Sequence, residues 1–410
     1  MAQGVYLPQQ VPNFGNGQLN PFGLNVTIGP SPNNNSQGGV VIDFTSYITP
    51  TTDPLTLILL RGYGSPTNIT INNVTLINSV ISSVDCDYVT ITLNNVSFSG
   101  LGSSYLTPIL IAPRGYTSTL TINGGSMANA IGYGTVPLIS VSQCDLLISG
   151  VEYYNNSGYT MISVSNATFT MDNSLVYSNA FTNMLIGLSA THPGSSLTKT
   201  TITNNNMSAG PIPMGSVIEV YQGSLSLVNS WLDSNYGMFN LINMRVSKVS
   251  MQGTKLTNNS ISASAMIYGI QSTFDMASSS VTNNLYYDSL AIWFYGSDMT
   301  LTDVVFGKSV TQGPQASSFN SIILCQQGNI TFNDVTNNNS GHNLMDCSSS
   351  DPPKCTIHGD QDVCDAKSGP SGGAIAGIVI GCILGAILII VIIILAIRYA
   401  KRHGHYHRIH

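Results

Sequence analysis

The chain has 410 residues, of which 43% are hydrophobic and only 8% are charged. Its 13 basic and 19 acidic side chains give a formal charge of −6, which provides no basic field and excludes nucleic acid as a partner. Glu152 and Glu219 are the only glutamates, so long surface helices are not expected, whereas aliphatic and β-branched residues suffice for a core of about 300 residues.

The N-terminal segment, residues 1–54, has no clear repeat, and we expect a capping strand or two with loops there. Met1 to Leu24 contains neither a basic n-region nor an apolar h-region, so no signal peptide is visible. Two explanations stay open. Either the natural start lies upstream, or the chain is held by a C-terminal tail anchor, which would place the β-domain in the cytosol.

Residues 55–343 are built from a repeated unit. Seven units align without gaps from Leu138, Met161, Val217, Leu241, Met266, Ala291 and Ile322, and others align with small insertions around Ile81, Ile109 and Leu185. Spacings of about 23 to 32 residues match one coil of a β-helix. The length variation falls after the core of each unit, where loops belong.

Each unit has apolar residues at its second, fourth, ninth, eleventh and usually sixteenth positions, for example Ile218, Val220 and Leu225. Alternation with period two indicates strands, and two breaks of phase per unit indicate three short strands separated by turns. Because a unit this short cannot bury its own apolar face, successive units must stack on each other. The sequence therefore predicts an all-β parallel β-helix of about ten coils.

Asparagine recurs at the nineteenth position of six consecutive units, allowing two inserted residues in one of them. These residues are Asn156, Asn179, Asn205, Asn235, Asn259 and Asn284. In coils stacked ~4.8 Å apart, each side-chain amide reaches the next one and also satisfies a turn backbone. We predict a structural asparagine ladder; the alternative is that asparagine is frequent only because it favours turns.

Aromatic and charged residues cluster at the outward third and fifth positions of four consecutive units. They are Glu219, Tyr221, Arg245, Tyr268, Trp293 and Tyr295. Rings beside polar groups are typical of carbohydrate recognition, because apolar sugar faces stack on the rings while hydroxyls form hydrogen bonds. The pattern predicts a carbohydrate-contact patch; the alternative is aromatic pairing that only stabilises the sheet, or cover from a loop.

N-x-[ST] sequons, which are glycan acceptors in a translocated domain, occur throughout the chain. They begin at Asn25, Asn34, Asn68, Asn73, Asn95, Asn155, Asn166, Asn206, Asn258, Asn329 and Asn338. Roughly eight or nine would arise by chance at this abundance of Asn, Ser and Thr. The sequons are therefore compatible with an extracellular domain without establishing one, and those facing a neighbouring coil should stay unmodified.

The cysteines divide by position. Cys86 and Cys144 belong to coils about two rungs, or ~10 Å, apart, which is beyond disulfide reach and predicts buried thiols. The candidate disulfide residues are Cys325, Cys347, Cys355 and Cys364. These four lie in the last coil and in residues 344–373, a predicted cap and stalk, and they permit three pairings. A zinc site that uses His358 would have poor ligand spacing, so no metal is predicted.

Ala374 to Ile397 is an uncharged stretch of 24 residues, long enough at ~1.5 Å per residue to cross a ~30 Å hydrocarbon layer as one helix. Glycine recurs every fourth residue on one face of this helix, at Gly373, Gly377, Gly381 and Gly385. Such a face lets a second helix approach closely, which predicts a homodimer through the transmembrane helix. The alternative is that glycine is simply common in membrane helices.

Residues 398–410 form a short basic, His-rich tail. Arg398 and Lys401 follow the apolar stretch, whereas Asp360 and Asp365 precede it. By the positive-inside rule the tail is cytoplasmic and the N-terminal domain lies outside the plasma membrane. The tail is too short for a folded module, and attraction to anionic lipid is favoured over metal binding by its histidines.

The repeat from roughly Leu55 to Asn343, with the anchor from Gly372 onward, resembles the pectin-lyase-like right-handed β-helix proteins. In particular, it resembles the single-pass surface proteins of that type found in large families in social amoebae. The resemblance implies a right-handed winding and display at the cell surface. Because it rests on repeat pattern and composition, it transfers fold well and function poorly.

Enzymes of this fold degrade acidic polysaccharides and carry characteristic catalytic motifs. The hydrolase motifs Asn-Thr-Asp, Asp-Asp, Gly-His-Gly and Arg-Ile-Lys do not occur on one strand face. The aspartates of the coils occupy different positions in their units: Asp145, Asp172, Asp233, Asp275, Asp298 and Asp303. No convergent carboxylate pair is therefore predicted, and neither catalysis nor a cofactor is expected.

The sequence thus predicts a non-enzymatic, glycosylated cell-surface protein that displays a β-helix for adhesion or recognition. Its expected partners are the membrane and a glycan or surface-protein ligand. The alternatives are a structural surface or coat protein without a specific ligand, and a polysaccharide-active hydrolase or lyase.

Overall fold

The computed structural model describes residues 4–6, 25–29, 40–43, 55–61, 66–84, 88–100, 110–111, 118–132, 134–207, 215–262, 264–314, 321–339, 343–345, 355–359, 389–395 and 397–398. The chain divides into two compact units, Met1–Cys364 and Asp365–His410. The first unit is a parallel β-solenoid of about ten complete turns, as predicted. Every strand pairs in parallel with the equivalent strands of neighbouring coils, so each coil contributes one rung to each long sheet.

Three long sheets follow each other around every coil. Sheet 1 contains β4 (Leu55–Arg61), β7 (Ser79–Val84), β9 (Leu110–Ile111), β11 (Pro137–Ser142), β14 (Ser157–Ser165), β17 (Ala180–Ser189), β20 (Ser216–Tyr221), β23 (Asn240–Arg245), β27 (Ala265–Ile270), the first parts of β30 (Leu290–Gly307) and β32 (Ser321–Asn333), and β34 (Asn343–Met345).

Sheet 2 lies next along each coil. It contains β2 (Asn25–Ile28), β5 (Thr67–Asn72), the first parts of β8 (Val89–Ser99) and β10 (Ser118–Ala128), β12 (Cys144–Ser149), β15 (Phe169–Asp172), β18 (Ser196–Thr198), β21 (Ser224–Val228), β24 (Lys248–Gln252), the first part of β28 (Thr273–Thr282), later parts of β30 and β32, and β35 (Thr356–Gly359).

Sheet 3 completes the coil. It contains β1 (Gly4–Tyr6), β3 (Val40–Asp43), β6 (Val74–Ile77), the second parts of β8, β10 and β28, β13 (Glu152–Tyr154), β16 (Leu175–Tyr177), β19 (Thr201–Thr203), β22 (Trp231–Asp233), β25 (Lys255–Thr257), the end of β30, and β33 (Thr336–Asn338).

A fourth, short strand follows sheet 3 in some coils, where the sequence pattern predicted only three strands. β26 (Ser260–Ser262), β29 (Leu285–Tyr287) and β31 (Val310–Gln312) form this small parallel sheet. Its inward residues Ile261 and Tyr286 are buried. A three-residue strand shows little alternation, so its period could not be recognised in sequence.

Solenoid strands also extend beyond residues 55–343 at both ends. β2 and β3 pair with β5 and β6, and β34 and β35 both pair with β32. Part of the segment predicted as cap and stalk therefore continues the parallel sheets. Terminal pairing of this kind covers strand edges that would otherwise present unpaired backbone groups.

The corners between sheets require left-handed backbone conformations, and asparagine supplies many of them. The asparagines with positive φ are Asn73, Asn78, Asn95, Asn129, Asn155, Asn166, Asn173, Asn204, Asn229, Asn258 and Asn283. Asparagine tolerates this region because its short polar side chain bonds locally. The abundance of asparagine in the chain is thus partly a requirement of the turns.

The interior is a column of apolar side chains stacked from coil to coil. In sheet 1, Val220, Met244, Gly269 and Phe294 occupy equivalent interior positions. A side chain at Gly269 would collide with the ring of Phe294. The glycine therefore makes room for a large neighbour, because close-packed cores fill their volume by pairing small residues with large ones.

Candidate functional site

The outer face of sheet 1 carries two rows of side chains stacked from coil to coil. Row one contains Glu219, Asn243, Tyr268, Trp293 and Leu324, and row two contains Tyr221, Arg245, Ile270, Tyr295 and Gln326. All six residues singled out in the sequence as carbohydrate contacts lie in these rows and constitute the sheet 1 patch. The shared register brings them onto one continuous surface.

Small residues occupy the same rows in the three coils before the patch. They are Ser140, Ser163 and Gly187 in row one and Ser142, Ser165 and Ser189 in row two. The large side chains are therefore confined to one segment of the sheet. A localised cluster of this kind is expected of a binding surface, whereas general stabilisation of the sheet would distribute large side chains along its length.

Two rings in the patch are fixed by contact with each other, and two are open to solvent. Tyr268 and Trp293 meet edge to face, with ring centroids 5.5 Å apart and an interplanar angle of 81°. This geometry is favourable for aromatic pairs and restrains both side chains. Tyr221 and Tyr295 are 43% and 42% exposed, so their faces are accessible to a ligand.

Glu219 is the carboxylate of the patch. Partial burial raises its pKa, while the nearby Arg245 guanidinium and a hydrogen bond from Asn243 act in the opposite direction, and the net pKa lies above the usual range. Burial disfavours the charged form of a carboxyl group, whereas a cation and a donor favour it. The patch therefore combines one partly buried acid with one exposed base.

We expect Glu219→Gln to stabilise the protein slightly at pH 7. The raised pKa means that ionised Glu219 is less stable in the folded protein than in the unfolded chain. The free energy of unfolding therefore falls as the pH rises from the ordinary carboxyl pKa to the raised pKa of the folded state, and it stays lower at neutral pH. The midpoints of urea unfolding at pH 7 and pH 3.5 measure the effect, which should vanish at the lower pH. A less stable variant at pH 7 would mean that Arg245 outweighs burial.

Two polar atoms in row one are buried without a hydrogen-bond partner among the described residues. They are Oδ1 of Asn243 and Nε1 of Trp293. Buried polar groups are nearly always paired, either with protein atoms or with ordered water. One of these atoms is an acceptor and the other a donor, and they lie two coils apart in the row.

An open groove of about 380 Å³ adjoins row two at the corner between sheets 1 and 2. Gln222, Val246 and Gln271 line it and directly follow the row two residues of their coils, and Lys248 and Thr273 form its other side. The groove therefore extends the polar surface beside the patch. Its amide, hydroxyl and ammonium groups are hydrogen-bonding partners for sugar hydroxyls.

The six asparagines of the predicted ladder form a continuous buried row: Asn156, Asn179, Asn205, Asn235, Asn259 and Asn284. Each Nδ2 donates to Oδ1 of the next residue at 2.9 to 3.2 Å. Each Oδ1 from Asn179 onward also accepts the backbone N–H of the preceding ladder residue. Ser309 and Asn339 continue the row through backbone hydrogen bonds.

The described sequon asparagines are mostly exposed. The exposed ones are Asn68, Asn73, Asn95, Asn155, Asn166, Asn258, Asn329 and Asn338, and Asn206 is half-buried. Some face a neighbouring coil: Asn95 Nδ2 donates to Asn73 Oδ1 at 2.9 Å, and Asn258 Nδ2 donates to Asp233 at 2.8 Å. Asn34 and the side chain of Asn25 lie outside the described part.

Among the four candidate disulfide cysteines, Cys325 and Cys355 are bonded to each other, with Cα atoms 5.6 Å apart. This disulfide ties the start of β35 to the last long strand. Cys144 is buried as predicted, and burial raises the pKa of its thiol to about 12, which keeps it in the unreactive protonated form. Cys86, Cys347 and Cys364 lie outside the described residues.

Most of the predicted transmembrane segment also lies outside the described residues, including Gly373, Gly377, Gly381 and Gly385. Residues 389–395 and 397–398 are helical. Within the described part of the second unit and of the chain as a whole, no helix reaches the length and apolarity that a membrane span needs. The anchor and the dimer that it would form stay predictions.

The sheet 1 patch contains all the ligand-contact residues that the sequence predicted, and the acidic residues of the other strands form no comparable cluster among the described residues. Over the described ranges, no group of three or more His, Cys, Asp or Glu side chains is arranged to hold a metal ion. Of the six aspartates named above, Asp298 and Asp303 share β30 and the other four lie on separate strands. Asp233 and Asp298 accept hydrogen bonds from neighbouring coils.

Sequence reasoning missed a second aromatic surface, on the outer face of sheet 3. Tyr154 and Tyr177 stack there with centroids 5.2 Å apart, and Trp231 is 46% exposed. A signal was present, because these residues occupy the fifteenth or seventeenth positions of their units, on either side of the buried sixteenth. The sequence prediction considered only the third and fifth positions of each unit, so it did not include this surface.

No protein-family model matches the chain, and no curated protein matches it by sequence. Several solved structures match the chain in fold. An alginate lyase in complex with a trisaccharide is 9% identical with a TM-score of 0.32, and the match covers 82% of each chain. The A-module of a mannuronan C-5 epimerase from Azotobacter vinelandii is 10% identical with a TM-score of 0.26, covering 84% of this chain and 90% of that one.

A hyperthermoactive exopolygalacturonase from Thermotoga maritima is 9% identical with a TM-score of 0.23, covering 73% of this chain and 82% of that one. At this identity the likeness concerns architecture and carries no residue roles across. The fold assignment rests on the strand pairing described above.

Proposed function

We propose that this chain is a cell-surface recognition or adhesion protein whose sheet 1 patch binds carbohydrate without transforming it. The observation that carries the proposal is the confinement of Glu219, Tyr221, Arg245, Tyr268, Trp293 and Tyr295 to adjoining positions of one sheet. Exposed rings stack on the apolar faces of sugars, and the flanking charged and amide groups bond their hydroxyls.

The side chains of the patch favour binding over catalysis. Glycoside hydrolysis ordinarily uses two carboxyl groups on either side of the scissile bond, and Glu219 is the one carboxylate of the patch. Its raised pKa results from burial beneath neighbouring side chains. The restrained Tyr268 and Trp293 pair supplies a preorganised platform, which lowers the entropic cost of binding a flexible sugar.

We expect Trp293→Ala to weaken glycan binding at least tenfold, because truncating a tryptophan that anchors a binding surface costs about 2 kcal/mol or more. Binding is measured on a glycan array and then by titration with the glycan that gives the strongest signal. Tyr236→Ala is the matched control, since Tyr236 is 47% exposed outside the patch. Trp293→Phe, which keeps a ring, should retain most of the affinity and guards against a folding artefact.

Three results would contradict the proposal. Unchanged binding by Trp293→Ala would place the ligand elsewhere. Failure of the unmodified protein to bind any glycan would favour a structural coat protein. Turnover of a saccharide would make the chain a polysaccharide-active enzyme.

As part of the same proposal, the solenoid is displayed outside the plasma membrane, residues 374–397 cross the membrane once, and residues 398–410 are cytoplasmic. The sequence from Gly372 onward and its resemblance to the single-pass surface proteins of social amoebae support this arrangement. The exposed sequon asparagines whose amides do not donate to a neighbouring coil, unlike Asn95, Asn258 and Asn329, are the expected glycan acceptors. The glycine face of the anchor is the expected dimer contact.

Expression in eukaryotic cells tests the location. Enzymatic removal of N-glycans should increase the gel mobility of the full chain markedly, and the solenoid should resist protease added to the cytosolic side. An unchanged mobility together with cleavage from the cytosolic side would mean the opposite orientation and would overturn the surface role.

A further inference from the structure

The outer face of sheet 3 presents two rows of side chains over five successive coils. The first row contains Glu152, Leu175, Thr201, Trp231 and Lys255, and the second contains Tyr154, Tyr177, Thr203, Asp233 and Thr257. These ten positions constitute the sheet 3 face. It lies on a different sheet from the patch, so a ligand on one surface makes no use of the other.

Trp231 is the most unusual residue of the sheet 3 face. It is 46% exposed, and its neighbours in the row are Thr201 and Lys255 rather than aromatic residues. The indole therefore does not take part in cross-strand ring packing. An exposed indole presents a large apolar face that a ligand can cover, next to an N–H group that can form a hydrogen bond.

A hydrogen-bond network holds this indole in place. Nε1 of Trp231 donates to Oγ1 of Thr257 at 2.7 Å, and the same hydroxyl donates to Oδ1 of Asp233 at 2.7 Å. Asn258 Nδ2 and Ser234 Oγ also donate to Asp233, at 2.8 and 3.0 Å. The ring is thus preorganised, and the Asp233 carboxylate beside it already has its hydrogen-bond donors.

The spacing of the rings matches an extended sugar chain. Tyr154 and Tyr177 stack at 5.2 Å with an interplanar angle of 15°, and Trp231 lies two coils beyond Tyr177. Coils are ~4.8 Å apart, roughly the advance of one pyranose unit in an extended β-linked glycan. Threonines occupy the coil between the rings, where hydroxyl groups of a sugar would find partners.

We infer that the sheet 3 face is a second carbohydrate-binding site, which takes a neutral, extended β-linked oligosaccharide lying along the solenoid axis. The exposed indole, the half-buried stacked tyrosines and the threonine hydroxyls, together with an Asp233 carboxylate whose hydrogen bonds are already made, favour an uncharged polar ligand over an ionic one. A membrane or nucleic acid would require a basic cluster, and Lys255 is the single cation in the two rows. The spacing from Tyr154 to Lys255 accommodates about four sugar units at ~4.8 Å each.

The chain contains only two tryptophans, and each belongs to a different proposed site. In full-length Trp293→Phe the indole fluorescence reports Trp231 alone, and in full-length Trp231→Phe it reports Trp293 alone. Both proteins are treated to remove N-glycans and titrated with cellotetraose and mannotetraose. The failure of one site is therefore distinguishable from the failure of the other.

We expect Trp231 fluorescence in Trp293→Phe to change saturably with at least one tetrasaccharide. Adding Tyr177→Ala should weaken this response at least tenfold, whereas Tyr287→Ala, at a 48% exposed tyrosine outside the face, should leave it unchanged. Thr257 is a positioning residue. Thr257→Val should weaken binding severalfold, and Thr257→Ser, which keeps the hydroxyl, should restore it.

Three outcomes would overturn the inference. The first is an unchanged Trp231 signal up to millimolar tetrasaccharide. The second is a response that Tyr177→Ala does not affect. The third is concentration-dependent self-association that Trp231→Ala abolishes, which would assign the sheet 3 face to a second copy of the chain.

Discussion

Asn235→Ala is expected to lower the free energy of unfolding by about 3 to 5 kcal/mol. Asn235 donates to Ile202 O at 2.9 Å and to Asn259 Oδ1 at 3.1 Å, and its Oδ1 accepts from the backbone N and Nδ2 of Asn205. Alanine removes all four bonds at a site with no solvent exposure. Buried groups left without partners cost more than the average hydrogen bond contributes.

Urea unfolding followed by circular dichroism measures this loss. Asn333→Ala is the matched control, because Asn333 is exposed and makes one surface contact with Thr302 at 3.3 Å; we expect a change within about 0.5 kcal/mol. Asn235→Ser should fall between the two, since Ser309 already serves as an acceptor further along the row. Equal effects of Asn235→Ala and Asn333→Ala would refute a structural role for the ladder.

Gly125→Ala is the second substitution with a large expected effect, also about 3 to 5 kcal/mol. Gly125 has φ of +86°, and a Cβ atom there would meet the backbone of Val96 at less than van der Waals distance. Alanine would therefore combine an unfavourable dihedral with a collision against backbone, which cannot move aside as a flexible side chain can. The rung between β8 and β10 should separate locally.

Gly150→Ala is a close control, because Gly150 has φ of +64° with no atom within 4 Å of the added methyl group. Its cost should be limited to about 1 kcal/mol of backbone strain. Hydrogen exchange of the strand amides in β8 and β10 would detect the separation that only Gly125→Ala should cause. Similar stability of the two variants would show that the collision is relieved without cost.

The sequence predicted the repeat, the parallel stacking of the strands and the position of the asparagine ladder, because each of these features recurs at a fixed spacing along the chain. Ile218 and Val220 alternate as buried strand residues do, and Asn205 occurs at its expected place despite inserted residues. Register then follows from stacking, so residues at equivalent positions become neighbours. The sheet 1 patch could be located for this reason.

Other features of the structure depend on contacts between coils, and no repeat in the sequence reveals these contacts. The orientation of Trp231 is set by Thr257 in the next coil, and the choice of Cys355 as partner of Cys325 is set by where β35 adds to the sheet. Asn243 is buried although it lies on an outward row, between Glu219 and Tyr268 of the neighbouring coils. Such effects arise between coils, in contacts that sequence spacing alone does not specify.

The ladder amides all point the same way along the solenoid. From Asn156 to Asn259 one hydrogen of each Nδ2 donates to Oδ1 of the next coil, while the other donates to a backbone carbonyl of the preceding coil. The side-chain carbonyl dipoles from Asn179 onward therefore align along the row, as peptide dipoles do in a helix. Hydrogen bonds aligned in a chain polarise each other. One broken rung should therefore weaken the rungs on both sides, and a second substitution in the same row should cost less than the first.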